Sequence, residues 1–115
     1  AIDYANAEFK NKKTNYICDA IENYTGKHDM MISLETIEHL EDPYILKALA
    51  DRCNIDLIFL SYPSKKTTHY NLYHYHDFND DDIMSIFNHG NPDEFVIADV
   101  IDLHREVRIL KLERC

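Results

Sequence analysis

Met30-Met31-Ile32-Ser33-Leu34-Glu35-Thr36-Ile37-Glu38-His39-Leu40-Glu41-Asp42-Pro43 sets a near-continuous apolar run directly before an acidic, histidine-bearing turn and an Asp-Pro pair. The run, His28 to Leu34, reads as a strand covered on both faces, as in a parallel sheet. Asp42 before Pro43 is a strong helix start, with Asp as N-cap and Pro at the first helical position. Ile45, Leu46, Leu49 and Ala50 then mark one buried stripe of a helix running to about Cys53. A second apolar run follows at Ile55 to Ser61, stopped by Tyr62 and Pro63. A strand, a helix and a second buried strand in that order make a parallel α/β unit.

Outward from this unit the pattern stays α/β. Ile2, Ala5 and Phe9 lie at helical spacing, so Ala1 to Phe9 reads as the end of a helix that dissolves into polar Lys10 to Thr14. Asn15 to Cys18 reads as a short strand that empties into Asp19 and Ala20. On the carboxyl side, residues 64–78 are polar, aromatic and His-rich without a period, which marks a long loop of the kind that is functional or mobile. Asn79 caps a helix with Asp80, Asp81 and Asp82 in its first turn and Ile83, Met84, Ile86 and Phe87 on its buried side. Glu94 to Val100 and Arg105 to Leu112 read as two strands joined through Asp102, Leu103 and His104, able to pair as an antiparallel ribbon. Cys18, Cys53, Met30 and Met31 read as buried apolar residues. Ligands of such sheets lie at the carboxyl ends of the strands, so Asp19, Glu35 and Ser61 to Pro63 are expected on one rim.

Composition limits what the chain can do. Its 115 residues are 45% hydrophobic and 29% charged with only 2 Gly and 3 Pro, the proportions of one compact domain rather than a disordered or fibrous chain. No apolar run reaches the length of a membrane span. Twelve Lys and Arg against 21 Asp and Glu give a formal charge of -9, which opposes broad binding to a phosphate backbone. Lys10, Lys12, Lys13 and the pair Lys65 and Lys66 are the places for a local basic patch. Three cysteines with no C-x-x-C spacing indicate neither a disulfide framework nor a zinc knuckle, and fit a reducing, cytoplasmic setting.

The segment Glu35-x-x-Glu38-His39-Leu40 after a buried strand, the strand end Leu60-Ser61-Tyr62-Pro63 and the loop His76-Asp77-Phe78 resemble, in order and spacing, the class I S-adenosylmethionine-dependent methyltransferases. Asp19-Ala20 looks like the family's acidic step that holds the adenine. The resemblance covers nearly all of residues 1–115 as a single domain, but only the later portion of the family fold. It implies a partial Rossmann-like sheet, mostly parallel, with an antiparallel C-terminal strand pair. The family's Gly-rich turn has no counterpart, because Gly26 and Gly90 stand alone, and the Gly pair usual before the second strand is replaced by Arg52-Cys53-Asn54. On this reading the first βαβ portion is absent and the Tyr16 strand is cut off from the Ile32 strand. A gap or an intermolecular pairing is expected there, with Ile32 and Phe59 on adjacent parallel strands.

The resemblance also implies residue roles. Asp19 and Ala20 would bind S-adenosylmethionine, and Glu35, His39 and His76 would align the acceptor and take its proton. Glu35, Glu38 and His39 lie three and four apart and can share a face. RNA 3′-end 2′-O-methyltransferases resemble this segment and hold a divalent ion there, so Glu35, Glu38, His39 and His76 form a candidate set for magnesium or manganese. Relatives without metal use the same pattern to shape the pocket, and that metal-free reading is preferred. His69, His74 and His76 with Tyr70, Tyr73 and Tyr75 form an aromatic-polar loop that can serve as a lid over substrate with His76 or His74 as general base, although His69 and His74 read more simply as surface loop. A small-molecule acceptor fits the charge better than nucleic acid, and a homo-oligomer or a complementing chain could supply missing strands. The alternative is an inert methyltransferase-like remnant serving as an interaction module.

Overall fold

The computed structural model describes residues 1–9 and 13–115, so Lys10 and Lys12 of the suggested basic patch lie outside the described residues. Helix α1 spans Ile2–Phe9, strand β1 Met30–Ser33, α2 Tyr44–Arg52, β2 Leu57–Pro63, α3 Asp80–Phe87, β3 Phe95–Leu103 and β4 Val107–Arg114. Single 3₁₀ turns lie at Ile21–Asn23 and Ile37–His39. The four strands form one sheet in the order β1-β2-β4-β3. β1 and β2 are parallel, with Ile32 directly opposite Phe59. β4 runs antiparallel to both β2 and β3. The parallel start and antiparallel C-terminal pair are those expected from the sequence.

The core lies on one face of this sheet. Ile58, Leu60, Leu110 and Leu112 point toward Leu46 and Ala50 of α2 and toward Ile83, Ile86 and Phe87 of α3, and all are buried. α3 begins as read, with a reciprocal capping box in which Asn79 accepts from the Asp82 amide and Asp82 accepts from the Asn79 amide. α2 begins one residue later than read. Pro43 occupies the cap position while the Asp42 carboxylate still accepts from the Tyr44 amide at 3.0 Å. α2 ends at Arg52 with Cys53 as its C-cap, and Asn54 follows with a φ of 57°, the left-handed conformation that Asn tolerates after a helix. β2 continues through Tyr62 and Pro63, which find ladder partners in Arg108 and Val107. The β3–β4 turn falls at residues 104–106, with His104 and Arg105 at positive φ, later than the expected joint.

Three expectations fail for one reason: among the described residues no second layer covers the other face of the sheet. Asn15 to Cys18 is not a strand. Its backbone is held outside the sheet by the Asn6 side chain, which donates to the Tyr16 carbonyl and accepts from the Tyr16 amide. β1 is covered on one face only, leaving Met30 46% and Ile32 60% exposed and Met31 partly buried at the margin of the core. Cys18 is exposed, whereas Cys53 is buried as read. Period and apolarity mark a segment that can be buried, but burial itself requires a neighbouring layer. Among the described residues no helix is long and apolar enough to cross a membrane.

Candidate functional site at the strand ends

The chain leaves β1 at Ser33 and turns sharply. Glu35 takes a φ of 50°, a conformation unfavourable for a residue with a side chain and often found at functional turns. Its amide donates to Ser61 Oγ at 2.8 Å, which draws the β1 exit onto the end of β2. The expected meeting of Glu35 and Ser61 on one rim is therefore seen. Asp19 is elsewhere: with Ala20, Ile17, Ile21 and Leu49 it lines a separate cavity of about 320 Å³.

The 3₁₀ turn that follows rolls Ile37 and Glu38 inward. Glu38 is 1% exposed, and its carboxylate faces the Glu35 carboxyl, whose proton it can accept, with no N–H donor within hydrogen-bond distance among the described residues, an arrangement that burial makes costly. The loop of residues 64–78 folds over this turn, with the Tyr75 amide donating to the Glu38 carbonyl at 2.8 Å. His39 Nδ1 donates to the Tyr73 carbonyl at 3.0 Å, which leaves Nε2 as the free nitrogen, 3.7 Å from Glu38 Oε1. His74 stands edge-on to His39 with ring centres 4.5 Å apart, and its Nδ1 is engaged by the buried Thr67 hydroxyl at 2.6 Å. Partial burial of its carboxyl, then the nearby Glu38 charge and a hydrogen bond with Glu38, push Glu35 up to about 7 against the opposing pull of His74 and His39.

Of the four residues singled out together in the sequence, the structure groups Glu35, Glu38 and His39 but places His74 with them. His76 Nε2 donates instead to the Leu40 and Glu41 carbonyls at 3.0 and 3.1 Å. Carbonyls only accept, so the His76 proton is fixed on Nε2 and its lone pair on Nδ1. His76 lines a cavity of about 850 Å³ with Tyr44, Tyr75, Asp77, Phe78 and Asp82. Asp77 is held below the usual carboxylate range by the Thr68 hydroxyl and the Thr67 and Thr68 amides, so this wall stays negative. Sequence reasoning weighed His74 as a general base but assigned it to the surface loop, and passed over Thr67. The His74-Tyr75-His76 alternation showed that two imidazoles share one loop, but the path of that loop decides which of them meets Glu38.

No protein-family model matches the sequence, and no curated protein matches it. Solved structures do match. Magnesium protoporphyrin IX methyltransferase (ChlM) from Synechocystis PCC 6803 with bound SAH aligns with 98% of this chain and 57% of its own, at a TM-score of 0.72 and 18% identity. The same enzyme with bound SAM aligns with 98% of this chain and 52% of its own, at a TM-score of 0.68 and 20% identity. The chain thus spans about half the length of these structures. The likeness is one of fold, and the fold is a Rossmann-like sheet of the class I methyltransferase type.

Proposed function

We propose that this chain is part of a methyltransferase that uses S-adenosylmethionine and a small-molecule acceptor. The carrying observation is the class I methyltransferase-like sheet with Glu35 bound back onto Ser61 at the strand ends and His76 in an adjoining cavity. Asp19 and Ala20 fit one end of the cofactor. The Asp19 carboxylate is exposed beside the Ala20 amide, from which it accepts at 2.9 Å, and Ile17 and Ile21 supply apolar surface in the same cavity. With the Ala20 amide spent on Asp19 Oδ1, the second oxygen of the exposed carboxylate is the acceptor left for an adenine amino group.

Bound S-adenosylmethionine supplies a methyl group already activated on a sulfonium, so the protein's work is alignment and proton removal. The cavity at Tyr44, Tyr75 and Phe78 offers aromatic walls for the acceptor. His76 Nδ1, with its lone pair fixed by the two carbonyls at Nε2, accepts the acceptor's proton. Glu35 and His39 lie outside the lining of that cavity, and their role in this reading is to orient the acceptor from the strand-end turn. The acceptor is a small molecule rather than nucleic acid because the formal charge of -9 repels phosphates. The three unpaired thiols fit a cytoplasmic setting.

Titration of the ¹⁵N-labelled chain with SAH tests this reading. The expected result is weak binding that moves the Ala20 amide resonance and is lost in Asp19→Ala. Millimolar SAH that leaves residues 15–24 unmoved would remove the cofactor assignment.

A second reading is favoured by the uncovered side of β1, where Met30, Ile32 and Leu34 are exposed. Here the chain is an inert interaction module whose sheet is completed by a second copy or a complementing chain. Sedimentation separates the readings: Ile32→Asp would shift an oligomer to monomer and leave SAH binding unchanged.

A further inference from the structure

The cavity beside His76 has a charge pattern that alignment and proton removal do not explain. Its volume of about 850 Å³ suits a small organic molecule. The rings of Tyr44, Tyr75 and Phe78 share its lining with four carboxylates, Glu41, Asp42, Asp77 and Asp82, and neither Lys nor Arg stands among them. We propose that the acceptor held here is an organic ammonium ion, an amine in its protonated form. This deepens the methyl-transfer reading and rests on it for the role of the cavity, while the positive charge follows from the lining alone.

The carboxylates are fixed in place but not neutralised. Asp42 accepts from the Tyr44 amide, Asp82 from the Asn79 amide, and Asp77 from the Thr68 hydroxyl and the Thr67 and Thr68 amides. These donors carry no charge, so the wall stays negative. Among the described residues none of the four forms an ion pair with Lys or Arg.

Their spacing selects the kind of cation. Among the described residues, no three of these carboxylates and His76 bring ligand atoms within 4.8 Å of one another, which is too scattered to chelate a metal ion at about 2.0 to 2.6 Å from each ligand. A cation with organic bulk can reach them together. The aromatic wall adds to this, with the His76 and Phe78 rings 5.1 Å apart and Tyr75 centred 6.4 Å from His76. Ring faces attract cations, and aromatic cages hold ammonium groups in this way.

His76 then has a defined task. Its proton is fixed on Nε2 by the Leu40 and Glu41 carbonyls, so Nδ1 accepts one N–H proton from the ammonium. The electron pair of that N–H bond stays on nitrogen, which converts the held cation into a neutral amine with the lone pair that a methyl acceptor needs.

Titration of the ¹⁵N-labelled chain with benzylammonium, benzyl alcohol and benzoate tests the proposal. Benzylammonium is expected to move the Tyr44, Tyr75 and Asp77 amide resonances saturably, benzyl alcohol to bind several-fold more weakly, and benzoate not to bind. Tyr75→Leu keeps apolar area but removes a ring face, and should weaken benzylammonium by about 2- to 5-fold. Glu41 is engaged only through its backbone carbonyl among the described residues, so Glu41→Lys reverses a charge without breaking a side-chain hydrogen bond and should weaken binding several-fold. Glu22→Lys makes the same charge change outside the cavity and should leave binding unchanged. Equal affinity for benzylammonium and benzyl alcohol, or equal losses in Glu41→Lys and Glu22→Lys, overturns the proposal. A parallel SAH titration separates the two readings. SAH binding at residues 15–24 without benzylammonium binding overturns this proposal and leaves methyl transfer standing, whereas benzylammonium binding without SAH binding supports the cation site and removes the methyl-transfer reading.

Discussion

Arg108 grips Asp80 as a fork, Nε to Oδ1 at 2.8 Å and Nη2 to Oδ2 at 2.7 Å, tying strand β4 to the first residue of helix α3. The buried Tyr62 hydroxyl donates to the same carboxylate. Three elements therefore meet on one charge that also favours the helix N-terminus.

Removing the fork should be felt in stability. Arg108→Ala is expected to cost about 1.5 to 3 kcal/mol in urea unfolding, as for hydrogen bonds to charged groups, and Tyr62→Phe about 1 kcal/mol. A cost of zero for Arg108→Ala would mean that the pair is no more than a solvated surface contact.

The same cluster sets an acid limit. The Arg108 hydrogen bonds, aided by Tyr62, hold the Asp80 carboxyl below its ordinary value despite partial burial. A carboxylate with a depressed folded-state pKa adds stability above its unfolded value of about 3.9 and loses it as pH falls through the folded value. Wild type should therefore lose part of its stability below about pH 4, and Asp80→Asn should flatten that part of the profile. Urea midpoints from pH 2 to 7 measure both.

Asn88 closes the other end of α3. Its amide nitrogen donates to the Phe95 carbonyl at 3.1 Å and its oxygen accepts from the Phe95 amide at 2.7 Å, mimicking a strand partner at the start of β3. Asn88→Ala should cost about 1 to 3 kcal/mol, two hydrogen bonds at roughly 0.5 to 1.5 each. Asn88→Asp keeps the acceptor alone and should fall between the two in thermal unfolding.

Lys47 is 6% exposed and bonds Glu94 at 2.5 Å and Asp51 at 2.8 Å, with its ammonium over the Phe95 ring. Glu94 also pairs with Arg114, so losing Lys47 does not strand a carboxylate. Lys47→Met should consequently cost less than Lys47→Ala, because its stem still covers Phe95. Equal losses in the two variants would show that charge rather than packing dominates.

Glu35 carries a left-handed backbone with a side chain attached. Relief of that strain by Glu35→Gly should offset the added chain entropy and leave stability within about 1 kcal/mol of wild type, where an ordinary loop Gly would destabilise. Chemical denaturation checks this, and a loss beyond 2 kcal/mol would show that the carboxyl itself holds the turn.

Periodicity and caps were enough for the elements whose signals are local. The Leu46 and Ala50 stripe, the Asn79–Asp82 box and the apolar run ending at Leu60 each lie within one turn or strand, so α2, α3 and β2 could be read from neighbours in the chain. The Ile32–Phe59 pairing was likewise legible, because a strand-helix-strand unit returns parallel to itself. Other features depend on where separate segments land. Asn6 holds Tyr16 away from the sheet, and one face of Ile32 stands open, because burial belongs to a layer rather than to a residue. Only the path of residues 64–78 put His74 rather than His76 beside Glu38: a loop without period carries no signal for direction, and its course is set by distant hydrogen bonds such as Tyr75 to Glu38 and Thr67 to Asp77.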